Sequence, residues 1–125
     1  MKKVLFICHG NICRSPMGEF ILKDLAAKAG LLDRLFVASA AVSREEIGNP
    51  VYPPARRVLA AHGISCEEKT AVQVCAADYN RYDYILYMEQ ANLPRLLRLV
   101  GPDRAGKCHR LLDFTSCPGD IDDPW

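Results

Sequence analysis

The 125-residue chain has no long hydrophobic run and almost no net charge, although half of its residues are hydrophobic. No stretch is long enough to span a bilayer, and the apolar run near the N-terminus is too short for a secretory signal. The formal net charge of +1 argues against nucleic acid or a membrane surface as a partner. We therefore expect one cytoplasmic domain, residues 1–125, with a hydrophobic core of its own.

The six cysteines include no Cys-x2-Cys pair of the kind that ligates zinc. The sequence also contains no repeats, low-complexity segments or linkers between domains. We therefore expect reduced thiols, and a function that needs neither a metal nor a cofactor.

One short segment carries most of the chemical information. Residues 8 to 15 read Cys-His-Gly-Asn-Ile-Cys-Arg-Ser, between the apolar run Val-Leu-Phe-Ile and a helix-like stretch. A tight loop in this position turns its backbone N–H groups inward, and the helix N-terminus adds partial positive charge. Gly10 and Asn11 tolerate the positive φ that such a loop needs. The segment therefore predicts an anion-binding loop.

Two side chains of this loop suit phosphoryl transfer. Arg14 offers a planar, bidentate fork for phosphate oxygens. Cys8 lies where positive surroundings favour the reactive thiolate. A nucleophile beneath a phosphate-binding loop predicts transfer through a cysteinyl-phosphate. Ser15 is predicted as the helix cap, followed by Pro16 at the first helical position, and its hydroxyl is also placed to bond the thiolate.

Apolar, strand-like runs alternate with helical patterns, which predicts a parallel sheet with helical crossovers. The predicted strands are 3–8, 35–40, 84–88 and 108–112, and the predicted helices are 15–29, 54–62 and 90–100. The buried face of the first helix is predicted to consist of Phe20, Ile21, Leu25 and Ala29. Ligands of open parallel sheets bind at the carboxyl ends of the strands, and Cys8 falls there.

These residues resemble the low-molecular-weight protein tyrosine phosphatases, and the resemblance spans the whole chain. It begins with Val-Leu-Phe-Ile-Cys-x-Gly-Asn-Ile-Cys-Arg-Ser-Pro and ends with Asp-Pro-Trp at 123–125. Between these lie Ser-Ala-Ala at 39–41, His-Gly-Ile at 62–64 and Asp-Tyr-Ile-Leu at 83–86. The resemblance implies an α/β fold of flavodoxin-like type, an open four-stranded parallel sheet with helices on both faces. It also implies hydrolysis of phosphotyrosine and other aryl phosphate monoesters.

The resemblance assigns the catalytic roles. Cys8 is the nucleophile, Arg14 the phosphate clamp and Asp123 the acid that protonates the leaving group. Spacing alone leaves Asp120 and Asp122 open as the acid, and the Pro-Trp that follows Asp123 favours Asp123. Such clustered carboxylates are expected to raise one another's proton affinity. The residues implied to surround the phosphate are His9, Gly10, Asn11, Ile12, Cys13, Arg14 and Ser15.

Supporting residues follow from the same resemblance. In the family, side chains at four positions hold the loop in its strained shape through hydrogen bonds. The residues of this chain that match those positions are Asn11, Ser15, Ser39 and His62. For His62 the alternative is a histidine at a helix end. Cys13 is implied to trap an oxidised Cys8 as a disulfide, the alternative being a small residue packed at the helix start.

The pocket wall departs from the family's pattern. Glu45 stands where the mammalian-type enzymes carry an aromatic residue, so the wall is expected to rely on Trp125, with Ile12 and Tyr52 as lesser contributors. Glu45 and Glu46 should also repel acidic peptides, unless they form a solvated loop without substrate contact.

The family continues past Trp125 with a helix that covers one face of the sheet, so we expect this chain to lack that helix. An uncovered apolar face favours self-association. The other expected partners are tyrosine-phosphorylated proteins and small aryl phosphates, with phosphate as product and inhibitor.

Three other functions remain as alternatives. An arsenate reductase of the same fold needs a close cysteine pair beyond the loop, which the nine-residue spacings of Cys66 to Cys75 and Cys108 to Cys117 do not resemble. A protein arginine phosphatase would carry threonine in place of Ile12, whose apolar branch suits an aromatic ester. A non-catalytic phosphate-binding fragment is the third, and the intact nucleophile, arginine and acid argue against it.

Overall fold

The structure, a computed structural model, describes residues 1–124. Over these residues a sheet of four parallel strands is flanked by four α-helices. The strands are β1 Lys2–Cys8, β2 Leu35–Ala41, β3 Tyr84–Tyr87 and β4 Cys108–Arg110. The helices are α1 Arg14–Lys28, α2 Pro53–Ala61, α3 Ala76–Arg81 and α4 Asn92–Val100, and a short 3-10 helix, Leu111–Phe114, follows β4. The predicted α/β class is confirmed, and each predicted strand or helix ends within two residues of the observed one.

The strand order β2-β1-β3-β4 makes β1 a central strand. Cys8 pairs with Ala41 of β2, and Ile7 pairs with Tyr87 of β3. Because the strands are parallel, their carboxyl ends meet at one edge of the sheet. The chain leaves β1 at this edge and enters α1, so the cysteine motif lies at the middle of that edge.

Side chains of β1 alternate between two hydrophobic cores. Leu5 and Ile7 belong to the core that Leu96 of α4 helps to fill. Val4 and Phe6 belong to the opposite core, where α1 contributes Leu22 as a partly buried neighbour. Helices therefore cover both faces of the sheet, as predicted. Among residues 1–124, no helix is both long and apolar enough to cross a membrane.

The predicted buried face of α1 is wrong for three of its four residues, since only Phe20 is partly buried against a hydrophobic cluster, and Ala29 is exposed. Ile21 and Leu25 are 42% and 56% exposed. The side chains that α1 buries are Arg14, Ser15, Pro16, Glu19 and Ala26. A Cβ added to Gly18 would lie 3.0 Å from the ring of Phe6, so the missing side chain lets α1 approach the sheet closely. Most of the buried side chains of α1 are polar because they support the loop before the helix, so apolar periodicity does not identify them.

Candidate active site

A cavity of about 280 Å³ lies at the carboxyl edge of the sheet, above the loop of residues 8–14, which we call the phosphate loop. The cavity is lined by Cys8, His9, Gly10, Ile12, Cys13, Arg14, Glu45, Glu46 and Asp123. The fold thus brings the phosphate loop together with the loop after β2 and with a carboxylate from residue 123.

Backbone hydrogen bonds turn the carbonyls of the phosphate loop outward. The bonds are Val42 N to Cys8 O at 3.1 Å, Ser43 N to His9 O at 3.0 Å, Tyr52 N to Ile12 O at 2.7 Å and Met17 N to Cys13 O at 3.1 Å. In a trans peptide plane the C=O and N–H groups point in opposite directions. The N–H groups that follow these carbonyls therefore face inward, as an anion cradle requires.

Asn11 holds the strained turn of the phosphate loop. Its φ of +59° is left-handed, a conformation that costs an L-residue about 1–2 kcal/mol. Its Nδ2 donates to Ser15 Oγ at 2.8 Å and to Ser39 Oγ at 2.9 Å, and its Oδ1 accepts from Val72 N at 3.1 Å. These three bonds offset the strain. Gly10 tolerates positive φ as well, but within the loop only Asn11 adopts it.

Cys8 lies at the floor of the cavity and is 3% exposed. Its Sγ lies 2.9 Å from Ser15 Oγ and accepts a hydrogen bond from Asn11 N at 3.3 Å. The side-chain Nδ2 of Asn11 can only donate, so Ser15 Oγ is the acceptor in the bond between them. The hydroxyl proton of Ser15 is therefore free to be donated to the Cys8 sulfur. Two hydrogen-bond donors are thus placed at the Cys8 sulfur.

The prediction that Ser15 caps α1 is wrong. The helix begins at Arg14, its N-cap is Cys13, and no side chain caps it. Ser15 is the second helical residue and is fully buried, since the loop needs its hydroxyl at the thiol. The predicted role beside the nucleophile is thus the one that the structure allows.

Two charged residues that sequence reasoning missed extend the support beneath the loop. Ser39 Oγ donates to Glu19 Oε1 at 2.5 Å, and Glu19 is 4% exposed. Lys69 Nζ lies 3.7 Å from the same carboxylate and donates to Ser39 O at 2.9 Å. Burial lowers the pKa of Lys69, although Glu19 opposes this. Glu19 follows Ser15 by four residues on a predicted helix, and that spacing was the available signal.

The prediction that His62 joins this network is wrong. His62 is exposed at the C-terminal end of α2, where its backbone N–H donates to Leu59 O at 3.0 Å. It lines a separate groove between α1 and α2. Its position matches the helix-end alternative, and Lys69 supplies the cation close to Ser39.

Arg14 is 8% exposed and is held from three directions. Its Nη1 donates to Ile121 O at 2.8 Å and lies 3.2 Å from Glu89 Oε2, while Nη2 lies 3.5 Å from Asp123 Oδ2. Glu89 was not predicted as a site residue. It follows β3 by two positions, so its place at the carboxyl edge of the sheet was the signal.

The three neighbouring aspartates occupy different surroundings. Asp120 Oδ1 accepts from Gln90 N at 2.9 Å and from Arg110 Nη1 at 3.0 Å. The Gln90 N–H bond, followed by the Arg110 bond, lowers the pKa of Asp120, so the expected rise is wrong for this carboxylate. Asp122 is exposed and does not line the cavity, whereas Asp123 lines it.

The structure describes all of the predicted wall residues except Trp125. Ile12 lines the cavity and is 7% exposed, and the half-buried Tyr52 adjoins it through its backbone N–H. Glu45 also lines the cavity, and His9 Nε2 lies 3.1 Å from its Oε2. Trp125 lies outside the described residues.

All six cysteines are free thiols. Burial, followed by the charge of Cys8, raises the pKa of Cys13. Burial, followed by Asp103, raises the pKa of Cys108 to about 11. In the described part of the chain, no three His, Cys, Asp or Glu side chains are grouped as a metal site.

A buried cysteine between a strand and a helix, with an arginine beside it and a carboxylate at the rim, defines the site of a cysteine-dependent phosphatase. The family model for low molecular weight phosphotyrosine protein phosphatase matches residues 3–125. The chain therefore belongs to this family.

Individual relatives agree with this assignment. The chain is 40% identical to the low molecular weight protein-tyrosine-phosphatase YfkJ of Bacillus subtilis, over 100% of this chain and 81% of that protein. It is 39% identical to the phosphatase of Rattus norvegicus, over 78% of this chain and 61% of the rat protein.

Solved structures show the same fold. The crystal structure of YfkJ superposes with a TM-score of 0.94 over 99% of this chain and 79% of that one. A tyrosine phosphatase of Entamoeba histolytica, with Hepes in its active site, is 28% identical and gives a TM-score of 0.90, over 99% and 80% of the two chains.

Proposed function

We propose that this chain hydrolyses phosphotyrosine, and aryl phosphate monoesters generally, through a cysteinyl-phosphate. The observation that carries the proposal is the buried Cys8 sulfur, which has hydrogen-bond donors from Ser15 and Asn11 beneath a cradle of N–H groups. Family membership and the names of the relatives support the same reaction.

In the first step, the Cys8 thiolate attacks phosphorus in line with the leaving oxygen. The P–O bond to the aryl group breaks as the S–P bond forms, and Asp123 gives its proton to the departing phenolate. Arg14 and the inward N–H groups hold the three remaining phosphoryl oxygens and stabilise their charge.

In the second step, water attacks phosphorus and the S–P bond breaks. Asp123, now a carboxylate, accepts a proton from that water, which restores it for the next turnover. Ser15 and Asn11 stabilise the departing thiolate through the two bonds to the sulfur. Inorganic phosphate is released, and it competes for the same cradle as an inhibitor.

The substrates that we propose are tyrosine-phosphorylated proteins and small aryl phosphates. Ile12 supplies an apolar contact for a phenol ring at the edge of the cavity. The six free thiols support a reducing, cytoplasmic setting.

The test is turnover of p-nitrophenyl phosphate and of a phosphotyrosine peptide. We expect hydrolysis of both, competitive inhibition by orthovanadate and an unchanged rate in EDTA. The proposal would be contradicted if the enzyme reduced arsenate in a thioredoxin-coupled assay and hydrolysed neither ester.

A further inference from the structure

The mouth of the cavity contains a side-chain hydrogen bond that the reaction does not use. His9 Nε2 lies 3.1 Å from Glu45 Oε2, and the two residues come from different loops. An ionised carboxylate can only accept, so Nε2 donates. The Glu45 side chain is 69% exposed and that of His9 is 33% exposed. A glutamate so exposed would otherwise sample many rotamers, and the bond restricts its carboxylate to the mouth.

A second glutamate lies at this mouth. Glu46 lines the cavity beside Glu45, and its Oε2 accepts from Asn49 Nδ2 at 2.5 Å. The neighbouring Arg44 is exposed but does not line the cavity.

The positive charge lies deeper. The Arg14 side chain is 6% exposed and faces Glu89 and Asp123. A phosphate therefore meets positive charge at the floor, whereas the peptide attached to it passes carboxylates at the mouth.

We infer that the Glu45 carboxylate, positioned by His9 and joined by Glu46, selects phosphotyrosine peptides that carry lysine or arginine beside the phosphotyrosine. This inference rests on the proposed function and deepens it by naming the substrate class. Complementary charge strengthens association with a basic flank, and like charge opposes an acidic one. Exposed ion pairs each change binding by up to about 5-fold, so two carboxylates predict a preference of about 10-fold.

The experiment compares phosphotyrosine peptides of equal length that carry Lys, Ala or Glu on both sides of the phosphotyrosine. Each kcat/KM is divided by the value for p-nitrophenyl phosphate. In low salt we expect the Lys peptide to exceed the Glu peptide by about 10-fold, mainly through KM, and the ratio to shrink in high salt.

Variants separate charge from position. Glu45→Gln keeps an acceptor for His9 but removes the charge, and should reduce the Lys-to-Glu ratio about 3-fold. His9→Ala keeps the charge but frees the side chain, and should also reduce the ratio. His9→Gln retains a donor and should restore it. Glu67→Gln, an exposed glutamate that does not line this cavity, is the matched control and should leave the ratio unchanged.

The outcomes are distinguishable. Equal kcat/KM on the Lys and Glu peptides, by protein that turns over p-nitrophenyl phosphate, would overturn the inference and leave the proposed function intact. An unchanged ratio in His9→Ala would overturn the positioning role of His9. Absence of turnover on every aryl phosphate would instead refute the proposed function.

Discussion

The floor and the mouth of the cavity differ in how far their side chains are buried and hydrogen-bonded. At the floor, Cys8, Asn11 and Ser15 are at most 3% exposed and bond one another. Across the described residues, no buried side-chain nitrogen or oxygen lacks a partner. At the mouth, the side chain of Glu45 is 69% exposed.

This difference in burial separates the residues that carry out the reaction at the floor from the glutamate that is proposed to select substrates at the mouth. A buried polar group that loses its partner costs about 1–3 kcal/mol, so the floor tolerates little change. An exposed ion pair contributes about 0–1 kcal/mol, so the mouth can vary at small cost. Floor substitutions should therefore affect every substrate alike, whereas substitution of Glu45, which takes no part in the proposed chemistry, should change the preference among substrates.

The largest effect is expected for the nucleophile. Cys8→Ser should reduce turnover below detection, because a hydroxyl ionises far less readily than a thiol and is a weak nucleophile when protonated, while orthovanadate still binds. Arg14→Ala should lose both turnover and binding, and Arg14→Lys should not restore the bidentate fork. Steady-state kinetics and vanadate titration measure the two properties. Substantial activity in Cys8→Ser would mean that the nucleophile is assigned wrongly.

The next largest effect concerns the acid. Asp123→Ala should slow esters with poor leaving groups by about 10²- to 10⁴-fold, and good leaving groups much less. Rates against leaving-group pKa measure this, with Asp120→Ala as the matched control. A steeper dependence for Asp120→Ala would contradict the assignment.

Asp120 should act on stability instead. Its pKa is lowered in the folded protein, first by the Gln90 N–H bond and then by Arg110. Its contribution is therefore present above the pKa of the unfolded chain and is lost as the pH falls through the folded value. Asp120→Ala should lower Tm at neutral pH, and the difference from the unsubstituted protein should shrink in acid.

A smaller effect is expected at the strained turn. Asn11→Ala loses three hydrogen bonds and should reduce kcat/KM by about 10²-fold through a misplaced loop. Asn11→Gly relieves the backbone strain but not the lost bonds, so it should recover stability more than activity. The exposed Asn80→Ala is the control. Kinetics and thermal melts together test this, and full activity in Asn11→Gly would show that only φ matters.

Substitution of Cys13 is expected to change turnover least, as long as the enzyme has not been oxidised. Peroxide should convert the Cys8 thiolate to a sulfenic acid, and attack by Cys13 on that sulfur should form a disulfide with loss of water. Because burial raises the pKa of Cys13, closure should quicken as the pH rises towards that pKa. Mass mapping measures the bond, with the exposed Cys75→Ser as the control. Sulfinic acid on Cys8 beside a free Cys13 would contradict the protective role.

The local pattern was enough for the fold class and for the residues of the phosphate loop. Strands, helices and the motif from Cys8 to Arg14 are contiguous in sequence, so propensity and spacing reveal them. The buried face of α1 was misjudged because that face carries Ser15 and Glu19, which apolar periodicity cannot find. His62 was misplaced because a match of sequence position does not show which way a helix end faces.

The sequence by itself determined that a cysteine and an arginine share one tight loop between a strand and a helix, since both belong to a single short segment. Only the tertiary structure decided which distant residues complete the site. Asp123 was predicted from its Asp-Pro-Trp motif, whereas Glu89 and Lys69 were not predicted. They reach the site from separate loops, because the contacts that bring them there join segments far apart in the chain.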